Sequence, residues 1–104
     1  MKINENTAEV ISLEEAVAYT HGYQNKYPNE PKAFFVGKQK VKRILAQENC
    51  MGIRIYNGYD AKTKSTNLVL VGVDEKGEDI SQGVILQELV GCPVDCSESS
   101  PLIK

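Results

Sequence analysis

The two cysteines near the C-terminus, Cys92 and Cys96, are the residues of this sequence best suited to chemistry. Thiolates are the nucleophiles of redox reactions and soft ligands for zinc. Pro93, Val94 and Asp95 separate the cysteines, whereas a redox dithiol usually has two intervening residues. Asp95 adds a carboxylate that could complete a metal site with two thiolates. Cys92, Cys96 and Asp95 are therefore candidate metal ligands.

A structural role for the same cysteines is the interpretation that we favour. Acidic neighbours oppose deprotonation of a thiol, and Glu88, Asp95 and Glu98 lie close by in sequence. A tight loop can bring Cα atoms four residues apart to about 6 Å, so the spacing also permits a disulfide. The chain has three cysteines, and in a reducing compartment this odd number argues against a disulfide framework. A structural pair, a metal site and a redox or disulfide pair are the alternatives.

Two other positions offer weaker candidates. Gly37 and Lys38 precede a helical pattern and could seat an anion. A phosphate-binding loop would need a glycine at Lys32 and a serine or threonine at Gln39, so that motif is absent. His21 is the single histidine and could act as a general base, although no nucleophile lies near it in sequence. We interpret the lysines around position 40 as a solvated face and His21 as a surface residue.

Three side chains of a predicted strand, Arg54, Tyr56 and Tyr59, are expected on its outer face. A guanidinium group and two phenol rings on one face could line a recognition surface. Packing against a neighbouring strand is the simpler interpretation of the same residues.

The composition indicates a folded protein and argues against several classes of partner. The 104 residues are 41% hydrophobic and 25% charged, with a formal net charge of −2. The net charges of residues 1–50 and 51–104 are about +1 and −3, an asymmetry too mild to indicate a polyanionic partner, so we expect no nucleic-acid partner and no membrane partner. The absence of tryptophan also argues against a base-stacking surface. The N-terminus lacks the apolar run of a signal peptide, so we expect a cytoplasmic protein.

Hydrophobic periodicity and turn residues divide the chain into helices and strands. Ser12 and Glu15 fit a capping box at the start of a first helix, and Pro28 limits its end. Residues 33–36 and 84–90 are each compatible with a strand or with helix, and we prefer a strand at 84–90. The other predicted elements are a helix at 12–26, a turn at 27–31, a helix at 38–48, a strand at 51–59, a loop at 60–66, a strand at 67–74 and a turn at 75–78.

These elements predict one domain over residues 1–104, with a loose N-terminal lead-in at 1–11 and an irregular C-terminal tail at 91–104. The predicted fold class is α+β, with two N-terminal helices packed on a small, mainly antiparallel, three- to four-stranded sheet. The strands at 51–59 and 67–74 should form a hairpin, because a short polar connection favours sequential pairing. We expect the tail to cover an exposed edge of the sheet.

The apolar faces of these elements also predict the hydrophobic core. Its members share helical or strand spacing on one side of an element. The predicted core consists of Leu13, Val17, Ile44, Leu45, Ile53, Ile55, Leu68, Val69, Leu70 and Val71.

Three segments resemble a group of short, uncharacterised bacterial proteins. They are residues 52–60 (GIRIYNGYD), 70–74 (LVGVD) and 92–96 (CPVDC), and the similarity extends over most of residues 12–102. The resemblance implies a bacterial origin and a shared fold. It implies no activity and assigns no catalytic residue.

The sequence contains no convergent set of acid, base and nucleophile, no cofactor motif and no dense field of charge. We therefore expect a small soluble binding or assembly module without catalytic activity and without a cofactor. A homodimer or another protein is the expected kind of partner. The alternative is a metal- or thiol-dependent protein that uses Cys92 and Cys96.

Overall fold

The structure is a computed structural model that describes residues 2–104 of the chain. Its strands pair antiparallel, as a three-stranded sheet ordered β2-β3-β4 and a two-stranded ribbon of β1 and β5. The prediction of an α+β protein with antiparallel pairing is confirmed. The elements in chain order are α1 (Leu13–Lys26), β1 (Ala33–Phe35), α2 (Lys38–Leu45), β2 (Cys50–Asp60), β3 (Ser65–Asp74), β4 (Ile85–Leu86) and β5 (Val90–Cys92).

The described chain forms two compact units, and each unit combines two separate stretches of sequence. The sheet unit contains the N-terminal residues up to Thr7 together with Val36–Leu89, and it includes α2, β2, β3 and β4. The ribbon unit contains Ala8–Phe35 together with Val90–Lys104, and it includes α1, β1 and β5. The interpretation of residues 1–104 as one domain stays a prediction.

The centre of the sheet unit is the hairpin of β2 and β3. The two strands pair from Cys50 opposite Asp74 at one end to Asp60 opposite Ser65 at the other. At the turn, Asp60 Oδ1 accepts a hydrogen bond of 2.8 Å from the Lys62 amide, a local interaction that favours chain reversal. The predicted hairpin is confirmed, and both strands are slightly longer than the sequence pattern indicated.

Helix α2 packs on this hairpin through Ile44, which is fully buried. Gly72 of β3 permits the close approach, because a Cβ atom there would lie 3.2 Å from Ile44 Cγ2 and 2.8 Å from the Gln47 side-chain nitrogen. The helix ends at Leu45, earlier than predicted, and Asn49 then takes a left-handed φ of 62° that asparagine tolerates better than most residues. Packing of a helix on the sheet is therefore confirmed for α2, whereas α1 belongs to the ribbon unit.

The predicted core is correct for Ile44, Leu70 and Val71, and it is wrong for three other residues. Leu13, Leu45 and Ile55 are all exposed, with Ile55 at 59%. An eight-residue helix is only about 12 Å long, so α2 covers the sheet around Gly72 and leaves the outer half of β2 uncovered. Among the described residues, the buried apolar side chains are Ile44, Leu70, Val71, Val73, Leu89 and Cys92.

The segment 84–90, for which a single strand was preferred, is instead divided between β4 and β5. Glu88 adopts a left-handed φ of 60° and interrupts the extended backbone. The backbone of the next residue, Leu89, is hydrogen-bonded to the side chain of Asn67 and not to a neighbouring strand. Asn67 Nδ2 donates to Leu89 O at 2.9 Å, and Asn67 Oδ1 accepts from Leu89 N at 3.2 Å. A side-chain interaction between distant residues thus ends a strand that local apolar sequence favoured.

In the ribbon unit, α1 begins with the predicted capping box. Ser12 Oγ accepts a hydrogen bond of 3.0 Å from the Glu15 amide, and the Ser12 amide donates to Glu15 Oε1 at 3.3 Å. The C-terminal tail is less irregular than predicted, since β5 pairs with β1 from Ala33 opposite Cys92 to Phe35 opposite Val90. The tail therefore contributes to the ribbon by pairing with β1. The three-stranded sheet, whose edge we expected the tail to cover, consists of β2, β3 and β4. Neither helix among residues 2–104 is long and apolar enough to cross a bilayer.

Candidate binding cleft

The ribbon unit contains a cleft of about 590 Å³ between α1, the ribbon and the C-terminal tail. Its polar side chains are Thr20 and Gln24 of α1, Lys32 before β1, and Asp95, Ser97 and Ser100 of the tail. The apolar part of the lining consists of Ala33, Phe34, Phe35, Val90, Leu102 and Ile103. These residues are far apart in sequence, and the pairing of β1 with β5 brings them together.

Two opposite charges lie on the cleft lining. Lys32 precedes β1 and Asp95 follows β5, and neither side chain takes part in an ion pair within residues 2–104. Their backbones are held in place, because the Lys32 amide donates to Cys92 O at 2.6 Å and the Asp95 amide donates to Gly91 O at 3.1 Å. The cleft thus combines an apolar interior with one free cation and one free anion among the described side chains.

Cys92 and Cys96 form a disulfide in the wall of this cleft. Their Cα atoms lie 4.8 Å apart, and the bond closes a loop at the end of β5 that contains Asp95. Of the alternatives that the sequence left open for this pair, the structure contains the disulfide, because the turn after β5 brings the two sulfurs together. Cys50 is the free cysteine of the described chain.

The candidate metal ligands Cys92, Cys96 and Asp95 all line the cleft. In this state the two sulfurs are bonded to one another, so neither is a thiolate available to a metal. Residues 2–104 contain no group of three histidine, cysteine, aspartate or glutamate side chains arranged to hold a metal ion. Metal binding at these three residues stays a hypothesis about the reduced chain.

The buried side chain of Gln24 in α1 forms hydrogen bonds with the C-terminal tail, which forms one side of the cleft. Gln24 Nε2 donates to Leu102 O at 3.0 Å, and Gln24 Oε1 accepts from the Lys104 amide at 2.8 Å. His21, one turn before it, has Nε2 2.9 Å from Pro101 O, so this histidine contacts the backbone of the tail. The sequence interpretation missed Gln24, although its position on the same helical face as Val17 could have indicated a buried amide with backbone partners.

Of the three side chains expected on one face of β2, the structure brings Arg54 and Tyr56 together and places Tyr59 apart from them. Arg54 Nη1 lies 2.5 Å from Asp79 Oδ1, and the Tyr56 hydroxyl donates to Asp79 Oδ2. Tyr59 lies on the opposite face of the strand, because side chains alternate and the register between Arg54 and Tyr59 is regular. The cluster of Arg54, Tyr56 and Asp79 joins β2 to the turn after β3, near the bridge between Val73 and Asp79.

The electrostatics of this cluster favour a structural role. The hydrogen bond from Tyr56, followed by the guanidinium of Arg54, lowers the pKa of Asp79 below its ordinary value. The hydrogen bond to Asp79 is the main reason why the pKa of Tyr56 is raised, and burial raises it further. A carboxylate held ionised by two donors is a poor proton acceptor, so the arrangement suits stability better than acid–base chemistry.

No protein-family model matches this chain, and neither a curated protein nor a solved structure matches it. The resemblance to short bacterial proteins therefore stays a prediction.

Proposed function

We propose that this chain is a small binding or assembly module without catalytic activity, and that the cleft of the ribbon unit is its ligand site. The observation that carries the proposal is the lining of the cleft, where an apolar interior meets a small number of polar groups. Small-molecule sites are mostly apolar concavities of roughly 300–1,000 Å³ in which a few polar groups orient the ligand. The volume of about 590 Å³ lies within this range.

The chemistry of the lining suggests an apolar ligand that carries one charged group. Phe34, Leu102 and Ile103 would bury the apolar part of such a ligand, which is the main source of binding energy. Lys32 would bind a carboxylate or sulfonate and Asp95 an amine, because each charge lacks an ionic partner among the described residues. The ligand could equally be a side chain of a protein partner, and neither a nucleic acid nor a membrane is part of the proposal.

A titration with anilinonaphthalene sulfonate tests the ligand site, because this fluorescent probe combines an apolar ring system with an anion. The wild-type chain should bind it saturably at one site. Phe35→Ala and Lys32→Gln should each weaken binding by roughly tenfold, which corresponds to about 1.4 kcal/mol of lost contact energy. Phe35 is exposed, so its removal should not prevent folding.

Val94→Ala is the matched control. Val94 is 96% exposed, belongs to the same unit and does not line the cleft, so its removal should leave the affinity unchanged. Equal affinities for all four proteins would mean that the probe binds elsewhere and would refute the cleft as the ligand site.

A metal- or thiol-dependent function is the second candidate, and the position of the Cys92–Cys96 disulfide in the cleft wall favours it. After reduction, two thiols and the Asp95 carboxylate would share this wall. Elemental analysis of the reduced protein beside the double variant Cys92→Ser, Cys96→Ser separates the two functions. One equivalent of zinc that the double variant lacks would favour metal binding. No stoichiometric metal, with a modest loss of stability in the variant, would favour a structural pair.

A further inference from the structure

Strand β2, the first strand of the sheet unit, has one unpaired edge. In the order β2-β3-β4, β2 is a terminal strand of eleven residues and pairs only with β3. A cavity of about 380 Å³ is lined by residues 51–55 together with Ile3, Asn4, Glu5 and Thr7, so the first half of β2 lies near the N-terminal segment. Ile55, which also lines this cavity, is exposed, as are Tyr56 and Tyr59 in the second half of the strand, with Tyr59 at 67%.

A hydrogen bond on the other edge of β3 shows which backbone groups of β2 point to its free edge. Gly72 O accepts a hydrogen bond of 2.8 Å from the Ile80 amide, so the peptide groups of Gly72 point away from β2. Gly72 lies opposite Ile53, and the two residues form a non-hydrogen-bonded pair. In such an antiparallel pair, the amide and carbonyl groups of each residue point away from the other strand. By alternation, the amide and carbonyl groups of Ile55, Asn57 and Tyr59 point to the free edge.

This edge lacks the features with which proteins usually block strand association. Such features are lysine, proline, inward-pointing charge or a bulge. Residues 55–59 read IYNGY and contain no charge and no proline. The irregularity in the register lies at the far end of the strand, between Cys50 and Gly52. An edge with these properties is suited to pair with another strand.

We propose that the edge of β2 binds the same edge of a second copy of this chain, antiparallel, with the two-fold axis at Asn57. This inference rests on the assembly role in the proposed function and is independent of the ligand cleft. In this register the outward-pointing groups meet, since Asn57 lies opposite its own copy and Ile55 lies opposite Tyr59. Each of these pairs exchanges two backbone hydrogen bonds.

The side chains of the same register are complementary. Ile55 against Tyr59 is an aliphatic–aromatic pair, of a kind that stabilises antiparallel strands. Arg54 lies opposite Asp60, so unlike charges meet at both ends of the paired segment, although Arg54 also binds Asp79. Moving the axis to Tyr56 would place Arg54 opposite Gly58 and lose this charge complementarity. A second copy is therefore the occupant that this edge fits best.

Light scattering over a range of protein concentrations tests the association. The wild-type chain should approach the mass of a dimer as its concentration rises. Ile55→Lys should keep the mass of a monomer at every concentration, with unchanged thermal unfolding of the monomer because Ile55 is exposed. Ile85→Lys is the matched control, since Ile85 is also exposed, at 50%, but lies in β4. It should dimerise like the wild type.

A wild type that stays monomeric throughout would overturn the proposal. So would a dimer that Ile55→Lys leaves intact, because the interface would then lie elsewhere. Binding of anilinonaphthalene sulfonate by Ile55→Lys should equal that of the wild type. The dimer interface and the ligand cleft can therefore fail separately, and each failure would be recognised.

Cysteine crosslinking tests the register without depending on the strength of association. In a Cys50→Ser background, Asn57→Cys should oxidise to a covalent dimer, because paired Cα atoms lie about 5.5 Å apart. Tyr59→Cys is the control in the same strand. Its copy would be four residues away along the partner, about 13 Å, and should not crosslink. Equal crosslinking at both positions, or none at position 57, would contradict the proposed axis.

Discussion

Asn67 and Leu89 exchange two hydrogen bonds through the side-chain amide of Asn67. Its Nδ2 donates to Leu89 O at 2.9 Å, and its Oδ1 accepts from Leu89 N at 3.2 Å. The same oxygen also accepts from the Leu68 amide at 2.8 Å. One side chain thus satisfies both backbone groups of a buried residue at the point where Glu88 interrupts the strand.

We expect Asn67→Ala to destabilise the sheet unit by about 1–3 kcal/mol, since it leaves the Leu89 backbone groups without partners. Urea denaturation followed by circular dichroism measures this loss. Asn67→Asp keeps the acceptor and removes the donor, and should be intermediate or equally destabilising. Asn6→Ala, at an exposed position of the same unit, is the control and should change stability little. A loss for Asn67→Ala no larger than that of the control would show that the two hydrogen bonds contribute nothing net.

Leu70 is the first of four consecutive buried residues of β3 and is 4% exposed. Leu70→Ala should reduce the free energy of unfolding by about 2–5 kcal/mol, because it removes buried methyl groups and leaves a cavity. Ile55→Ala is a matched aliphatic truncation at an exposed position of the partner strand and should cost much less. A denaturant titration that gives less than about 1 kcal/mol for Leu70→Ala would place this residue outside the core.

Asp79 should make the stability of the sheet unit depend on acid pH. The Tyr56 hydroxyl, followed by the Arg54 guanidinium, holds the pKa of Asp79 below its ordinary value of 3.8. Because the folded pKa is the lower one, the carboxylate stabilises the fold above the unfolded pKa, and this contribution is lost as the pH falls through the folded pKa. Asp79→Asn should therefore be less stable at neutral pH and show a shallower decline below about pH 4.

Denaturant midpoints measured at a series of pH values provide this comparison. Glu75→Gln removes an exposed carboxylate from the same turn and serves as the control. If the acid decline of Asp79→Asn has the same slope as that of the wild type, the Asp79 cluster does not contribute in this pH range.

The hydrogen bonds of Gln24 should protect the C-terminal tail from proteolysis. Gln24→Ala removes the donor to Leu102 O and the acceptor of the Lys104 amide, so the last residues lose two of their hydrogen bonds to α1. Limited proteolysis should then cut the tail faster, since cleavage follows local opening. Gln39→Ala, an exposed glutamine of α2, is the control. Equal cleavage rates for the two variants and the wild type would mean that other contacts hold the tail.

Local signals in the sequence determined several elements of this protein. The capping box of Ser12 and Glu15 set the start of α1, because its partners are three residues apart and need no other part of the chain. The β-rich runs on either side of a short polar loop determined the hairpin of β2 and β3. In each case the atoms that interact are close together along the chain.

The tertiary structure alone decided the cleft, the end of β4 and the exposure of Ile55. The cleft joins Thr20, Phe34 and Leu102, which no spacing rule connects. The break at Glu88 depends on Asn67, and the exposure of Ile55 depends on how far the short helix α2 reaches over the sheet. A sequence pattern reports which face of an element is apolar, whereas burial depends on which distant segment covers that face and how much of it is covered.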